Sequence, residues 1–430
     1  MKKITLLLIL CCVFIGCNNP TQQPPPPDFE NWAQFRGPNT QGISQSTGLP
    51  TYWSRTENIA WKVPIPGESW SSPIVWGNHI FVTTTTDDGA NCYVMALDRL
   101  SGQVLWSKRV FTQRANQHRH DMNSFATPTP VTDGNSVFAV FADGSFVALD
   151  FSGNILWTNR DLNWHSQHGL SASPILYNDL LILPVDQSSR DPENRAPGWR
   201  HAWDEGFVLA LDKNTGEERW RAMRGMSRLS HATPAILNVN GQNQLISPAG
   251  DVIQGFDPTD GRLIWTIQTD GEPAVPSPVF GDGMIFTAPT GGAPIYAVRP
   301  DGQGDATETH IVWATRGHTP LMSSKLFVAP YLITFPGNRV CVLNAATGEF
   351  IWEERLGIGA MNPSPIYADG KIYAISENGT TVVMQLTGDA EKPLEIIAVN
   401  RLEEMTRASL AVAGNRLLIR TENYLWSIGE

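Results

Sequence analysis

A tryptophan that returns at a near-regular interval constrains this chain more than any other feature. Trp61, Trp106, Trp157, Trp220, Trp265, Trp313 and Trp352 are spaced 45, 51, 63, 45, 48 and 39 residues apart. Between them one order of signals recurs. A Ser/Thr-Pro step opens an apolar run, a glycine turn follows, and a second run leads to Ala-Leu-Asp, another turn glycine and the next Trp. The clearest copies are Ala96-Leu97-Asp98 with Gly102, Ala148-Leu149-Asp150 with Gly153, and Ala210-Leu211-Asp212 with Gly216. Weaker ones are Phe256-Asp257 with Gly261, Ala297-Val298, and Leu343-Asn344 with Gly348. The openings read Ser72-Pro73, Thr127-Pro128, Ser173-Pro174, Thr233-Pro234, Ser277-Pro278 and Ser364-Pro365. A period of roughly 40–50 residues holding four short strands is the signature of a β-propeller.

Each position has a physical reason. Glycine supplies the positive φ of a tight turn, and the Asp before it bonds the turn backbone. Tryptophan is wide enough to cover the join between two sheets, and its N–H can find a carbonyl there. Proline is tolerated at the first residue of a strand, where no ladder N–H is needed. Six full units run from Ser71 to Trp352, and a seventh, from Asn362 to about Val399, has lost its Trp. An eighth begins near Ser409 and stops at Tyr424-Leu425-Trp426-Ser427 without a last strand. The missing strand stands at the other end, in Ile59-Ala60-Trp61-Lys62. The expected fold is therefore all-β, an eight-bladed propeller of four-stranded antiparallel blades whose N-terminal strand closes the last blade and removes two open edges.

Of the 430 residues, 41% are apolar and 17% charged, with a net charge of −11 and no basic block. That balance argues against nucleic acid or an anionic membrane surface as a partner. Lys2 and Lys3 precede an apolar run, Ile4 to Gly16, too short for the roughly 20 residues of a membrane-spanning helix. The run ends Phe14-Ile15-Gly16-Cys17, which resembles a bacterial lipoprotein signal, although Phe14 stands where that signal prefers Leu. Residues 1–17 are read as this signal, with Cys17 the lipid attachment site. Residues 18–31, holding Pro20 and Pro24 to Pro27, are read as an extended linker, and 32–430 as the propeller. Asn18, where Asp would direct inner-membrane retention, implies an outer-membrane anchor facing the periplasm, the only membrane contact expected. Only Cys92 and Cys341 remain in the expected propeller. They precede third strands of blades three steps apart, so both thiols are expected to be free.

The Ala-x-Asp-x3-Gly-x3-Trp units resemble the tryptophan-docking repeats of quinoprotein dehydrogenases and of PQQ-like (pyrroloquinoline quinone) propellers. Trp32-Ala-Gln-Phe35-Arg36-Gly37-Pro38, followed by Gly48-Leu49-Pro50 and Asn58 to Lys62, looks like a bacterial branch of that family. With a lipid anchor, the chain is similar to the lipoprotein propeller of the outer-membrane barrel-assembly machinery. The resemblance implies the fold directly; for function it implies either a scaffold or a quinone enzyme.

Strand order sorts the histidines. His118, His120, His165, His168, His231 and His318 fall in blade-to-blade connections, which emerge on one face, while His79 and His310 fall on the other. The 63-residue interval contains an insertion, about 186–206, with Arg190, Arg195, Trp199, Arg200, His201 and Trp203, long enough to act as a lid over the axial mouth. The candidate ligand-binding set is His118, His120, Asn123, His165, His168, Asp186 and His231, where histidine suits metal ligation or proton transfer. The competing reading is that these residues only bond backbone groups at turns and strand ends. No catalytic residue or metal set is assigned.

The enzyme that the resemblance implies would need an axial quinone, acidic and amide calcium ligands, and an adjacent cysteine pair. The only adjacent pair, Cys11-Cys12, lies in the leader, and no acidic cluster stands in the axial strands. The leading expectation is thus a monomeric, lipid-anchored envelope scaffold, not an enzyme, with no certain cofactor, binding an envelope protein or a small ligand. The alternative is a PQQ- and calcium-dependent alcohol or sugar dehydrogenase. A third reading is a carbohydrate-binding protein using the tryptophans of the insertion.

Overall fold

The computed structural model describes residues 30–114, 119–290 and 292–429. The leader, Cys17, linker residues 18–29 and His118 lie outside the described residues. Eight sheets form the ring. Blade 1 consists of Ile74–Trp76, His79–Thr86, Asn91–Asp98 and Val104–Thr112, and each later blade repeats that antiparallel order. Blades 4 and 7 each gain a short parallel strand at an edge, Gly304–Asp305 and Ile43–Ser44. In blade 8, Ala411–Ala413, Arg416–Arg420 and Tyr424–Ile428 are completed by Ile59–Pro64, with Trp61 opposite Ser427 and Lys62 opposite Trp426. The N-terminal strand closes the ring, as the missing-strand count requires. No helix among the described residues is long and apolar enough to cross a membrane.

The outer half of each join is built from the repeat. A bulge just before each docking Trp turns the indole toward the next blade, and the residue opposite is small in most blades. Ala96 faces Trp106, Ala148 faces Trp157, Ala210 faces Trp220 and Ala297 faces Trp313. In four joins the indole N–H then donates to a carbonyl of the following blade, Trp61 to Arg99, Trp106 to Phe151, Trp157 to Lys213 and Trp313 to Ala345, at 2.8–3.1 Å, whereas the buried Trp220 Nε1 has no hydrogen-bond partner among the described residues. The turn glycine of that next blade lies flat against the ring. A Cβ on Gly216 would sit 2.4 Å from Trp157, and one on Gly102 would sit 2.6 Å from Trp61. The glycine therefore answers two demands, positive φ and contact with the indole. Trp265 departs from the pattern: Gly255 stands opposite it, and its N–H turns to Gln244 Oε1 within its own blade at 2.8 Å.

The inner half is held by hydroxyls. The backbone N–H of Ser72 donates to Thr129 Oγ1, Thr129 to Ser173, and Ser173 to Thr233. Ser277 donates to Ser324, Ser324 to Ser364, Ser364 to Ser409, and Ser409 back to Ser72, all at 2.9–3.1 Å. The join between Thr233 and Ser277 is bridged by His231 N–H on the Ala274 carbonyl at 2.7 Å. The opening of blade 2 is thus Thr129-Pro130, two residues later than the Thr127-Pro128 step read from sequence. Blades 6 and 8 supply Ser324-Lys325 and Ser409-Leu410, which lack the proline.

Residues 32–44 cross the axis. Trp32 O accepts from Val75, Ala33 O from Thr132 and Gly42 O from Tyr367, while Gln41 Oε1 accepts from Phe280. Each partner lies three residues beyond the hydroxyl of its strand, about 10 Å along the axis. Arg36, 1% exposed, donates to the carbonyls of Thr40, Gln41 and Lys325. Lys325 is fully buried beside it, and its Nζ has no hydrogen-bond partner among the described residues. Burial, and then the Arg36 charge, push Lys325 down to about 7.

Two outcomes follow from these contacts. Gly216→Ala should cost about 2–4 kcal/mol, combining left-handed strain with the indole clash, whereas Gly241→Ala, at φ +86° with open space around it, should cost only about 1–2 kcal/mol. Equal losses in urea unfolding would remove the docking role of the glycine. For Lys325, the unfolded chain keeps a proton up to about pH 10.4 that the native chain gives up near 7, so stability should rise with pH across that window. Lys325→Met should flatten that rise and stabilise the protein most below pH 7.

Candidate functional site

The ring hydroxyls and the plug make a blind funnel of about 470 Å³ on the axis. Phe35 rises from the plug. Ser72, Thr129, Ser173, Thr233, Ser277, Ser324, Ser364 and Ser409 line the wall, and Trp70, Met122, Trp199, Val275, Leu321 and Met322 form an apolar collar. Glu272 and Arg407 bring the two formally charged groups among the described lining residues, on connections well apart around the ring. Seven of these eight hydroxyls, all but Ser277, are occupied as acceptors of a neighbouring backbone N–H, so most of the wall is polar by structure.

Four of the seven candidate residues meet here. His120, Asn123, His168 and His231 all line the funnel, carried by three successive blade connections. His168 is central: its ring centroid lies 5.7 Å from His120, 5.5 Å from His231 and 5.6 Å from Trp199. His231 Nε2 is 3.5 Å from His168 Nδ1. Asn123 works as a clip between connections, its amide donating to the carbonyls of His168 and Leu170. His165 and Asp186 do not join them. His165 faces a separate outer cleft with Arg190 and Trp203. Asp186 is buried against Arg224, Oδ1 to Nε 2.6 Å, and burial raises its carboxyl against the pull of that guanidinium. It serves as an internal strut, because a carboxylate without water needs such a partner.

The insertion is a folded loop. Gly198 takes φ +80° where a Cβ would meet Gln187 O at 2.1 Å. Its carbonyl accepts from Leu229, and Trp203 exchanges backbone bonds with Ser227. This anchoring drives Trp199 into the funnel and turns Trp203 outward, so the two tryptophans do not share a site. Trp70 and Phe35 were not singled out from the sequence. Trp70 directly precedes the Ser71-Ser72-Pro73 opening, the one signal that could have placed it at the mouth.

An axial quinone with calcium does not fit these residues. Among the described lining residues there is one carboxylate, Glu272, and the Asn123 amide is spent, its Oδ1 accepting from the Ser124 N–H and its Nδ2 donating to the His168 carbonyl. Cys92 and Cys341 lie within third strands of blades 1 and 6 as separate free thiols. They cannot form an adjacent pair.

These features define a PQQ-like propeller with a closed-ended axial funnel. The chain belongs to the family described as outer membrane protein assembly factor BamB, whose model matches residues 54–190 and 204–426. Proteins of that name from Yersinia pestis and Escherichia coli K12 are 24% and 25% identical over 218 and 211 residues. These matches cover 45% and 49% of this chain and 53% and 46% of the relatives, so the chain spans about half the length of the curated relatives it matches. The crystal structure of BamB from Moraxella catarrhalis superposes with a TM-score of 0.59 at 15% identity, covering 86% of this chain and 99% of that one. A quinohemoprotein alcohol dehydrogenase from Pseudomonas putida HK5 gives 0.64 at 12% identity, covering 92% and 80%. Both likenesses speak to fold alone. Residues 191–203, which the family model skips, are the part of the insertion that carries Trp199.

Burial, then repulsion by His168 and His120, pushes His231 down to about 3. The unfolded chain binds a proton there near pH 6.5, so native stability should fall as pH drops from about 6.5 toward 3. His231→Gln should weaken that acid sensitivity. Comparing urea midpoints at about pH 7 and pH 4.5 tests it, and an unchanged slope would return His231 to an ordinary solvated role.

Proposed function

We propose that this chain is an exported, lipid-anchored propeller that works as a binding scaffold in outer-membrane protein assembly, with the axial funnel as its docking site. The observation that carries this reading is the funnel's chemistry. It is an apolar collar over a ring of hydroxyls mostly committed to structure, and its described lining residues include three histidines but no cysteine and a single carboxylate. Such a site binds an apolar or aromatic group by burial and shape. Membership of a family described as assembly factors supports a protein client or partner in the envelope. The quinone-dependent alternative has a fold likeness in its favour and the donor set against it.

Removing the chain from its host should lower the content of folded outer-membrane barrels. Full-length protein should restore it, and the Trp199→Ala, Leu321→Ser double variant should restore less than half while melting within a few degrees of the parent. A photo-crosslinking residue at Met122 should capture barrel-assembly components. Unchanged barrel content on removal would refute the scaffold reading. Dye reduction by purified protein with quinone and calcium would favour the dehydrogenase instead.

A further inference from the structure

Blade 6 carries a second cluster, outside the funnel lining, assembled by strand register. Cys341, in Arg339–Asn344, stands directly opposite Glu353, in Phe350–Arg355, and opposite Thr334, in Tyr331–Thr334. Directly opposed residues share a face, so the three side chains form one row across the blade. The Thr334 hydroxyl donates to the His318 carbonyl at 2.9 Å, which pins the connection from blade 5 over the row. The His318 ring stacks on Phe350, centroids 4.8 Å apart and planes 12° apart. One ligand atom each from His318, Cys341 and Glu353 then lie within 4.8 Å of one another.

Two further observations point to a ligand. His318 Nδ1 is buried and has no hydrogen-bond partner among the described residues, so the ring offers a lone pair or a proton that nothing uses. Cys341 is fully buried, and its Sγ lies 3.5 Å from Glu353 Oε2. In a tetrahedral zinc site, bonds of about 2.3 Å to sulfur and 2.0–2.1 Å to nitrogen or oxygen separate the ligand atoms by about 3.4–3.6 Å. The sulfur–carboxylate spacing already has that value. Arg339 holds the rest in place, Nη1 donating to Glu353 Oε2 at 2.8 Å and Nη2 to the Gly317 carbonyl beside His318.

We propose that blade 6 binds a borderline-soft divalent transition ion of the zinc class through His318 Nδ1, the Cys341 thiolate and the Glu353 carboxylate, with a fourth position open to solvent. A nitrogen–sulfur–oxygen set does not suit the hard calcium or magnesium ions, which take oxygen ligands. Without metal, burial pushes the Cys341 thiol up to about 12 and it donates to Glu353. Binding exchanges the S–H bond for a metal–sulfur bond; the proton leaves past Glu353, which is partly open to water, and no electron changes hands. This site is independent of the funnel and of the scaffold reading.

The test uses reduced, metal-free, full-length protein titrated with Co²⁺ and then Zn²⁺. One Co²⁺ per chain should bind with a thiolate-to-cobalt charge-transfer band that Zn²⁺ abolishes, and Zn²⁺ should shield Cys341, not Cys92, from alkylation. Affinity should rise with pH, since a proton is released. Cys341→Ser and His318→Gln should each lose more than about 100-fold in affinity, since removing even an outer-shell partner of a ligand costs about 10–100-fold. Glu353→Gln, on a partly exposed side chain where misfolding is not a concern, should weaken binding too. Binding without the sulfur band, or a Cys341→Ser protein that keeps its affinity, would place the metal elsewhere and overturn the proposal. No binding at all would also overturn it.

Discussion

The N–H to hydroxyl bond between neighbouring Ser/Thr residues at the axis is the interaction on which the rest of this molecule depends. Eight blades must meet where each strand has least room, and backbone N–H groups buried there must find acceptors. A hydroxyl one blade ahead provides one, as Thr129 does for Ser72 and Ser72 for Ser409. The bond fixes how far each first strand stands from the next, so the outer edges diverge by a set angle. The gap that opens there is the width of an indole. Trp106 on Gly153 and Trp157 on Gly216 fill it, which is why an inner polar ring and an outer aromatic ring occur together.

The same axial geometry makes the funnel. The N-terminal segment crosses the channel below the hydroxyls and blocks it, so what would be a tunnel becomes a cup with Phe35 at its base. The blade connections crowd the other end because successive blades are joined there, which is how His120, His168 and His231 come to meet from three different connections. The insertion of blade 3 then narrows the cup with Trp199. Fold and site are in this sense one construction, with the histidines carried by the connections and Trp199 by a stretch that the family model does not match.

The architecture was legible because its signals are local. Asp, Gly and Trp within a dozen residues act on one turn and one join, so the repeat and the closing strand can be read by spacing. The axial ring was not legible, since serine and threonine are common and the proline beside them served only as a marker. Blade 2 offered two Thr-Pro steps in Thr127 to Pro130, and blades 6 and 8 had lost the proline. Sorting connections by face put His120, Asn123, His168 and His231 on one side, where they line the funnel. It could not tell that His165, mid-connection, turns into an outer cleft or that Asp186, one residue beyond its strand, is spent on Arg224, because both depend on side-chain direction. The His318, Cys341 and Glu353 cluster needed the cross-strand register of blade 6, which sets residues of separate segments in one row.

The closing strand also sets an order of events. Ile59–Pro64 leaves the ribosome before any blade, yet its partner Tyr424–Ile428 is the last of the described strands to follow. The loop between them is about 360 residues long, and its closure must precede any reward from that contact. An unfinished chain therefore carries an unmatched edge at its front throughout synthesis, and cannot lock into a ring from its own early parts. Premature closure is disfavoured by topology alone, because the blade that seals the ring is the one split between the two ends of the described chain.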